Sequence, residues 1–221
     1  MRFSDEQRRI MADCQIKARG ITNPRLLAAF ERVPREAFVP DALSEYALDD
    51  MPLPIGDGQT ISQPYIVALM IDAADLRPSA RVLEIGTGSG YAAAVLAQLA
   101  REVFTVERLE ALAASARQRL AELGYGNVTV MAGDGSIGLP GLAPFDAILV
   151  AARAEKVPAA LPEQLAIGGH LIIPVGSEEV QSLLRISRTG ADHWEEHDLG
   201  AVRFVPLIGK EGLAEGGSRM D

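Results

Sequence analysis

Two kinds of apolar pattern alternate along the chain between residues 64 and 176. Short apolar runs predict β-strands, and longer amphipathic segments between them predict helices. The predicted strands cover residues 81–85, 102–106, 127–131, 145–151 and 169–175. The predicted helices cover residues 64–74, 91–100, 109–123 and 158–166. Such alternation predicts a parallel sheet with helices on both faces.

The C-terminal part departs from this alternation. Two further apolar runs, near residues 181–188 and 201–208, have no helical pattern between them. They are joined through Gly190 and a polar stretch, so we expect them to pair antiparallel. The predicted fold is therefore a mostly parallel sheet that ends in an antiparallel hairpin, with a polar, frayed segment from Gly209 onward.

The N-terminal residues 1–60 show helices and loops but no clear strand. Ser4 and Gln7 have the spacing of a capping box for a helix that ends near Gly20. Asn23, followed by a proline, predicts the N-cap of a second helix. We therefore expect an N-terminal helical extension packed on the sheet.

Composition supports one globular unit. The chain has 221 residues, 48% of them hydrophobic, which is enough for a single α/β domain over residues 61–221 with the extension of residues 1–60 packed on it. The net charge of −9 argues against a nucleic-acid partner, because phosphate binding needs a basic face.

The single cysteine, Cys14, excludes an intrachain disulfide and a cysteine metal cluster. Ile10, Met11 and Ala18 share its predicted helical face, so we expect Cys14 in the core. The first residues lack the apolar core of a signal peptide, and no apolar run reaches the ~18 residues of a membrane helix. These features predict a cytoplasmic protein without a membrane partner.

A glycine turn carries the first chemical signal. Gly86, Gly88 and Gly90 follow the first predicted parallel strand, and a predicted helix opens at Tyr91. A ligand can lie against bare backbone at such a turn, over a helix N-terminus. Glu107 ends the next apolar run, where a carboxylate binds ribose hydroxyls. The pattern therefore predicts a nucleoside cofactor.

The spacing narrows the choice of cofactor. A dinucleotide motif needs a third glycine after two intervening residues, and Tyr91 stands at that position. Glu84, two residues before Gly86, is unfavourable beside a pyrophosphate but suits an ammonium group such as that of S-adenosylmethionine. The segment resembles motif I of the class I methyltransferases. The alternative is a glycine turn of another α/β protein, with Glu84 merely solvated.

Ligands of parallel sheets bind beyond the carboxyl ends of the strands. That rule gathers the glycine turn, Glu107, Asp134, Gly135 and residues 151–157. The Asp134 carboxylate can accept a hydrogen bond from an adenine amino group, or it can form an Asx turn before Gly135. The sequence leaves both roles open.

The segment of residues 53–65 is rich in glycine and hydroxyl groups and leads into a predicted helix. Ser62 has two possible roles. It can cap this helix, with Pro64 just inside. Alternatively, a glycine-rich loop before a helix N-terminus can receive a carboxylate.

Several motifs together resemble the protein-L-isoaspartate (D-aspartate) O-methyltransferase family over nearly the whole chain. They are RVPREAFVP (32–40), LPIG with GQTISQP (53–64), VLEIGTGSGY (82–91), GDG (133–135), APFDAI (143–148), GG with IPVG (168–176) and VRFVP (202–206). The resemblance implies a Rossmann-like class I methyltransferase fold with a seven-stranded sheet. It implies methyl transfer from S-adenosylmethionine to the α-carboxyl of L-isoaspartyl, and some D-aspartyl, residues in damaged proteins, which begins repair through a succinimide.

The resemblance also implies the roles of individual residues. Ser62 would be the catalytic hydroxyl. The implied cofactor-binding residues are Thr60, Ile61, Glu84, Gly86, Thr87, Gly88, Glu107, Asp134 and Gly135. The implied substrate-binding residues are Thr60, Ser62, Ala151, Ala152, Val202, Arg203 and Phe204. The implied partners are isoaspartyl proteins and peptides, with S-adenosylhomocysteine as product, no metal, no nucleic acid, and a monomer favoured.

One stretch departs from the family pattern. After the fourth strand the family usually has a threonine or glycine, then small residues and a proline, whereas this chain has the basic Arg153 and Lys156. Both side chains could alter the substrate cleft, so the resemblance leaves the peptide preference undetermined.

No histidine falls in these motifs: His170 lies in a predicted strand, and His193 and His197 in a late polar loop. A carboxylate acceptor needs no general base, because a carboxyl of pKa ~4 is ionised at neutral pH.

Three alternative functions remain, namely an enzyme modifying aspartate in one dedicated peptide, a nucleic-acid methyltransferase, and a cofactor-binding protein without turnover. The residues at 151–154, Ala-Ala-Arg-Ala, lack the proline–aromatic motif of adenine-N6 enzymes.

Overall fold

The computed structural model describes residues 3–214. Its centre is a seven-stranded sheet whose strands, in spatial order, cover residues 128–132, 102–107, 81–85, 145–150, 165–176, 181–190 and 193–202. The first five of these strands pair in parallel, and the last three pair antiparallel. The predicted fold class is confirmed.

The strands lie close to their predicted positions except at the two ends of the chain and at Leu165, where a strand begins inside the predicted helix of residues 158–166. The sheet strands are β3 (Arg81–Ile85), β4 (Glu102–Glu107), β5 (Val128–Ala132), β6 (Phe145–Val150), β7 (Leu165–Gly176), β8 (Gln181–Gly190) and β9 (His193–Val202). A separate two-stranded hairpin consists of β1 (Leu53–Gly56) and β2 (Gln59–Ile61). The α-helices are α1 (Asp5–Met11), α2 (Pro24–Arg32), α3 (Pro64–Ala73), α4 (Tyr91–Ala97), α5 (Glu110–Glu122) and α6 (Ala160–Glu163).

The last strand was wrongly predicted. It covers His193–Val202 instead of residues 201–208, and it follows β8 after a tight turn. His193 and His197 therefore lie on this strand and not in a loop. Nearly every residue of β9 is exposed because it forms the edge of the sheet. Strand β9 is defined by its main-chain hydrogen bonds to β8 and has no buried apolar face. Its sequence therefore lacks the alternation of apolar and polar residues that would predict a strand.

The β1–β2 hairpin contradicts the expectation that no strand precedes residue 60. Its turn is Asp57-Gly58, with positive φ at both residues (49° and 69°), as the tightest hairpin turns require. Pro54 is tolerated because β1 pairs on one side only. The glycine-rich segment is thus a short, ordered hairpin.

The N-terminal capping box of Ser4 and Gln7 is present, and the helical run ends at Gly20 as predicted. The run changes type, however, with a π-helical turn over Ala12–Ile16. This turn shifts the side chains away from α-helical spacing. Cys14 is therefore exposed, and the prediction that it lies in the core is wrong.

One buried cluster joins the N-terminal extension to the sheet. The ring of Tyr91, at the start of α4, packs edge-on against Phe30 and Phe38 at centroid distances of 6.2 and 5.6 Å. The residue that replaces the third glycine of a dinucleotide motif thus holds the extension in place. The division into residues 1–60 and 61–221 stays a prediction, and its last residues, 215–221, lie outside the described part of the chain.

No helix within residues 3–214 has the length and apolar character needed to cross a membrane.

Candidate active site

The glycine turn between β3 and α4 leaves its backbone uncovered. Gly86, Gly88 and Gly90 all have positive φ (93°, 52° and 89°), which other L-residues adopt only with strain. The Gly86 N–H donates to the carbonyl oxygen of Val106 at 2.8 Å, which ties the turn to β4. A Cβ at Gly86 would lie 3.4 Å from that of Ala151. The positive φ values therefore favour glycine in this turn, and the backbone of Gly86 and Gly88 lines the adjacent cavity.

Glu107, the last residue of β4, is held by this turn. Its Oε2 accepts from the Gly88 N–H at 2.9 Å, and its Oε1 accepts from the Leu109 N–H at 3.1 Å. Each oxygen keeps a further lone pair, and the side chain lines the cavity beside the glycine turn. The carboxylate is therefore oriented to accept two more hydrogen bonds, as a ribose diol would offer.

Glu84 lies beneath the turn and is 2% exposed. Its Oε2 accepts from the Thr105 hydroxyl at 2.5 Å, and Thr105 in turn accepts from the Thr87 hydroxyl at 2.6 Å. Burial raises the pKa of Glu84 to about 8; the Thr105 hydrogen bond acts in the opposite direction, and the Glu107 charge adds to the rise. Glu84 has no ion pair with the described residues, so a cationic ligand group in this cavity would favour its charged form.

Asp134 forms the Asx-type turn that the sequence left open. Its Oδ1 accepts from the Ser136 N–H at 2.8 Å, and its Oδ2 accepts from the Lys210 N–H at 2.7 Å. Burial acts to raise the pKa of Asp134. The two backbone hydrogen bonds and the bond from the Ser136 hydroxyl outweigh this effect and lower the pKa. Asp134 lines a neighbouring depression, whereas Gly135 lines the cavity at the glycine turn. An adenine contact of Asp134 stays a prediction.

The segment after residue 208 is more ordered than predicted. Lys210 bonds to Asp134, the Glu211 N–H donates to the Ser136 hydroxyl at 3.0 Å, and the Leu213 N–H donates to the Leu207 carbonyl at 2.7 Å. The expected fraying from Gly209 is wrong for these residues, and residues 215–221 lie outside the described part.

Two adjoining cavities meet at the hairpin. The inner cleft lies at the glycine turn, and the predicted residues that line it are Thr60, Ile61, Ser62, Glu84, Gly86, Thr87, Gly88, Glu107, Gly135, Ala151 and Ala152. The outer cleft opens beyond it, and the predicted residues that line it are Thr60, Ser62, Ala151, Val202, Arg203 and Phe204. The structure thus gathers the predicted residues in two clefts with a shared wall, and only Asp134 lies apart.

Ser62 belongs to both clefts and does not cap a helix. The N-cap of α3 is Gln63, and no side chain caps this helix. The hydroxyl of Ser62 forms no hydrogen bond with any residue between 3 and 214. The helix-cap alternative is therefore wrong, and half-buried Ser62, whose hydroxyl has no partner among these residues, lines both clefts.

Arg35, which the sequence did not single out as a site residue, fixes the backbone of Ser62. Its guanidinium is fully buried and donates to the carbonyl oxygens of Ser62 at 2.9 Å, Met51 at 3.2 Å and Ala47 at 2.5 Å. Burial lowers the pKa of Arg35. No carboxylate of the described residues forms an ion pair with it, so these carbonyls solvate the charge. The motif RVPREAFVP contains this arginine, but only the folded chain shows its partners.

Within residues 3–214, no three or more His, Cys, Asp or Glu side chains are arranged to hold a metal ion.

Comparison with known proteins assigns the family. The family model described as "Protein-L-isoaspartate(D-aspartate) O-methyltransferase (PCMT)" matches residues 6–212. The chain belongs to this family. The predicted family and enzyme class, a protein-L-isoaspartate O-methyltransferase, are therefore confirmed.

Curated relatives agree over almost the whole chain. Protein-L-isoaspartate O-methyltransferase 2 of Pelobacter propionicus is 55% identical over 213 residues, covering 96% of this chain and 95% of its own. Protein-L-isoaspartate O-methyltransferase 2 of Marinobacter nauticus is 58% identical over 206 residues, covering 93% and 94%. A solved structure from Plasmodium falciparum, a protein-L-isoaspartate O-methyltransferase in complex with S-adenosyl-L-homocysteine, superposes with a TM-score of 0.79 at 26% identity, covering 91% of this chain and 98% of that one.

Proposed function

We propose that the inner cleft binds S-adenosylmethionine and that the outer cleft binds a protein segment containing an isoaspartyl residue. The observation that carries this assignment is the position of Ser62, whose unbonded hydroxyl lies in the shared wall of both clefts. Methyl transfer requires the acceptor carboxylate to meet the methyl donor where the two clefts join.

The inner cleft fits this cofactor in three respects. The glycine turn exposes backbone against which a nucleoside can lie, and the Glu107 carboxylate is oriented for the ribose hydroxyls. Glu84 is buried without a cationic partner, and the ammonium group of S-adenosylmethionine would supply one. When bound, S-adenosylmethionine supplies the methyl group that the carboxylate accepts, with S-adenosylhomocysteine as the product.

Ser62 orients the acceptor. An isoaspartyl carboxyl is already ionised at neutral pH, so no residue must remove a proton. The Ser62 hydroxyl donates to one carboxylate oxygen and leaves the other free to react. Complete alignment of two reactants can lower a barrier by up to ~7–11 kcal/mol, and the Ser62 hydrogen bond supplies part of it. Ile61, which is buried beside Ser62, helps to exclude water from the junction.

The partners follow from this assignment. The substrates are isoaspartyl proteins and peptides, and the net charge of −9 disfavours nucleic acid. We also propose a cytoplasmic monomer in which residues 1–60 and 61–221 form one unit, as the shared buried cluster supports.

A methyl-transfer assay with two acceptor classes tests the proposed function. With labelled S-adenosylmethionine, we expect base-labile methyl ester on an isoaspartyl peptide and no label on tRNA, since a carboxyl ester hydrolyses in mild base. Base-stable label on tRNA would instead favour the nucleic-acid alternative. Activity on one peptide sequence only would favour the dedicated-peptide alternative.

Substitution of Glu107 by alanine should weaken S-adenosylmethionine binding by about ten- to a hundredfold. The lost charge-assisted hydrogen bonds are worth ~1.5–3 kcal/mol. Isothermal titration calorimetry gives the affinity directly. Glu110→Ala, an exposed acidic residue at the start of α5, is the matched control and should bind normally. Unchanged affinity of the Glu107 variant would remove Glu107 from the site.

A further inference from the structure

Arg153 is a buried cation in the wall of the outer cleft. It is 9% exposed, and within residues 3–214 its guanidinium forms one hydrogen bond, from Nη1 to the carbonyl oxygen of Gly176 at 3.3 Å. No carboxylate of the described residues lies within ion-pair distance of it. A buried guanidinium with so few acceptors is costly unless an anion pairs with it.

The backbone holds Arg153 rigidly beside the substrate path. Its N–H donates to the Val205 carbonyl at 2.8 Å, and its carbonyl accepts from the Leu207 N–H at 2.7 Å. Ala151, two residues earlier, lines both clefts, whereas Arg153 lines only the outer one. Arg153 therefore faces bound peptide away from the junction where the reacting carboxylate lies.

The other charges of the outer cleft do not neutralise Arg153. Arg203 is exposed there and has no ion pair with the described residues, while Arg19 is paired with Asp50 at 2.7 Å. The acidic Glu178 also lines the outer cleft, but it is exposed and forms no ion pair with Arg153. Among the described residues, this cleft thus carries two unpaired guanidinium groups against one unpaired carboxylate, in a chain whose net charge is −9.

We propose that Arg153 binds an Asp or Glu side chain of the substrate close in sequence to the isoaspartyl residue, so that this enzyme prefers acidic isoaspartyl segments. This inference rests on the proposed function, because it needs peptide in the outer cleft. Arg153 is then a specificity-determining residue: it contacts a flanking side chain and takes no part in the methyl transfer.

A charge-matched peptide series tests the proposal. The peptides carry one isoaspartyl residue, have both termini blocked, and place Glu, Gln or Lys at each of the two positions on either side. For at least one position we expect the wild-type kcat/KM to be about five- to twentyfold higher with Glu than with Gln, and to be lowest with Lys. A five- to twentyfold ratio is what one charge-assisted hydrogen bond, partly exposed to solvent, contributes.

Two variants assign the preference to Arg153. In Arg153→Ala the Glu-to-Gln ratio should fall to near one. Lys156, contrary to the expectation from sequence, is exposed and lines neither cleft, so Lys156→Ala should keep the wild-type ratio. The ratio is taken within one protein preparation, so a lower folded fraction of Arg153→Ala cancels.

Two results would overturn the inference: a wild-type ratio near one at every position, or an unchanged ratio in Arg153→Ala. In each of these cases methylation of the peptides would leave the proposed function intact. Failure to methylate any isoaspartyl peptide would instead refute the proposed function, and the inference with it.

Discussion

Ser62→Ala should lower kcat at least about tenfold and leave the affinity for S-adenosylmethionine close to that of the wild type. A hydrogen bond to a charged group is worth ~1.5–3 kcal/mol, and each ~1.4 kcal/mol of barrier is a factor of ten in rate. Because Ser62 caps no helix, the free energy of unfolding should change by less than about 0.5 kcal/mol. Steady-state kinetics with an isoaspartyl peptide, together with denaturant unfolding, gives both quantities.

Two further serine variants sharpen this result. Ser62→Thr keeps a hydroxyl but adds a methyl group to the junction, so it should retain partial activity. Ser79→Ala removes an exposed hydroxyl that lines neither cleft and should behave as the wild type. Normal turnover of Ser62→Ala would contradict the orienting role of its hydroxyl.

Arg35→Met should destabilise the fold by about 2–4 kcal/mol and also lower kcat. The substitution leaves the carbonyls of Ala47 and Ser62 without their donor, and an unsatisfied buried group costs ~1–3 kcal/mol. Denaturant unfolding measures the first effect and steady-state kinetics the second. Arg32→Met is the matched control, because Arg32 is exposed at the end of α2 and its loss should change neither quantity appreciably.

A double-mutant cycle tells whether Arg35 acts through Ser62. If its function is to hold the Ser62 backbone, the loss of kcat caused by Arg35→Met should shrink when Ser62 is already alanine. The loss of stability should persist in both backgrounds. An equal loss of kcat with and without the Ser62 hydroxyl would show that Arg35 supports the fold without positioning this serine.

The parallel sheet and the glycine turn could be predicted because their signals are local. Strand β3 and the start of α4 are encoded by an apolar run, three glycines and Tyr91 within a few residues. The inner cleft then follows from the rule that such sheets bind ligands at the carboxyl ends of their strands. Family motifs supplied the role of Ser62, for which local chemistry left both a helix cap and a carboxylate contact open.

Features that depend on distant partners could not be predicted. Strand β9 is an exposed edge defined by pairing to β8, so its apolar pattern is uninformative. Arg35 meets carbonyls that are 12, 16 and 27 residues away in sequence. Asp134 meets the backbone of Lys210, 76 residues away. Burial of Arg153 likewise depends on how the segment before β7 packs against residues 205–207.

The central claim is that the two clefts align an isoaspartyl carboxylate for methylation, and a pair of peptides of identical composition tests it most directly. One peptide contains L-isoaspartate and the other contains normal aspartate at the same position. The initial rate of base-labile methyl incorporation from labelled S-adenosylmethionine is measured for both. The free carboxylate is attached to a different backbone atom in each peptide, so a site that aligns one carboxylate does not align the other. We therefore expect ready methylation of the isoaspartyl peptide and none above background for the aspartyl peptide. Equal rates on the two peptides would contradict the account.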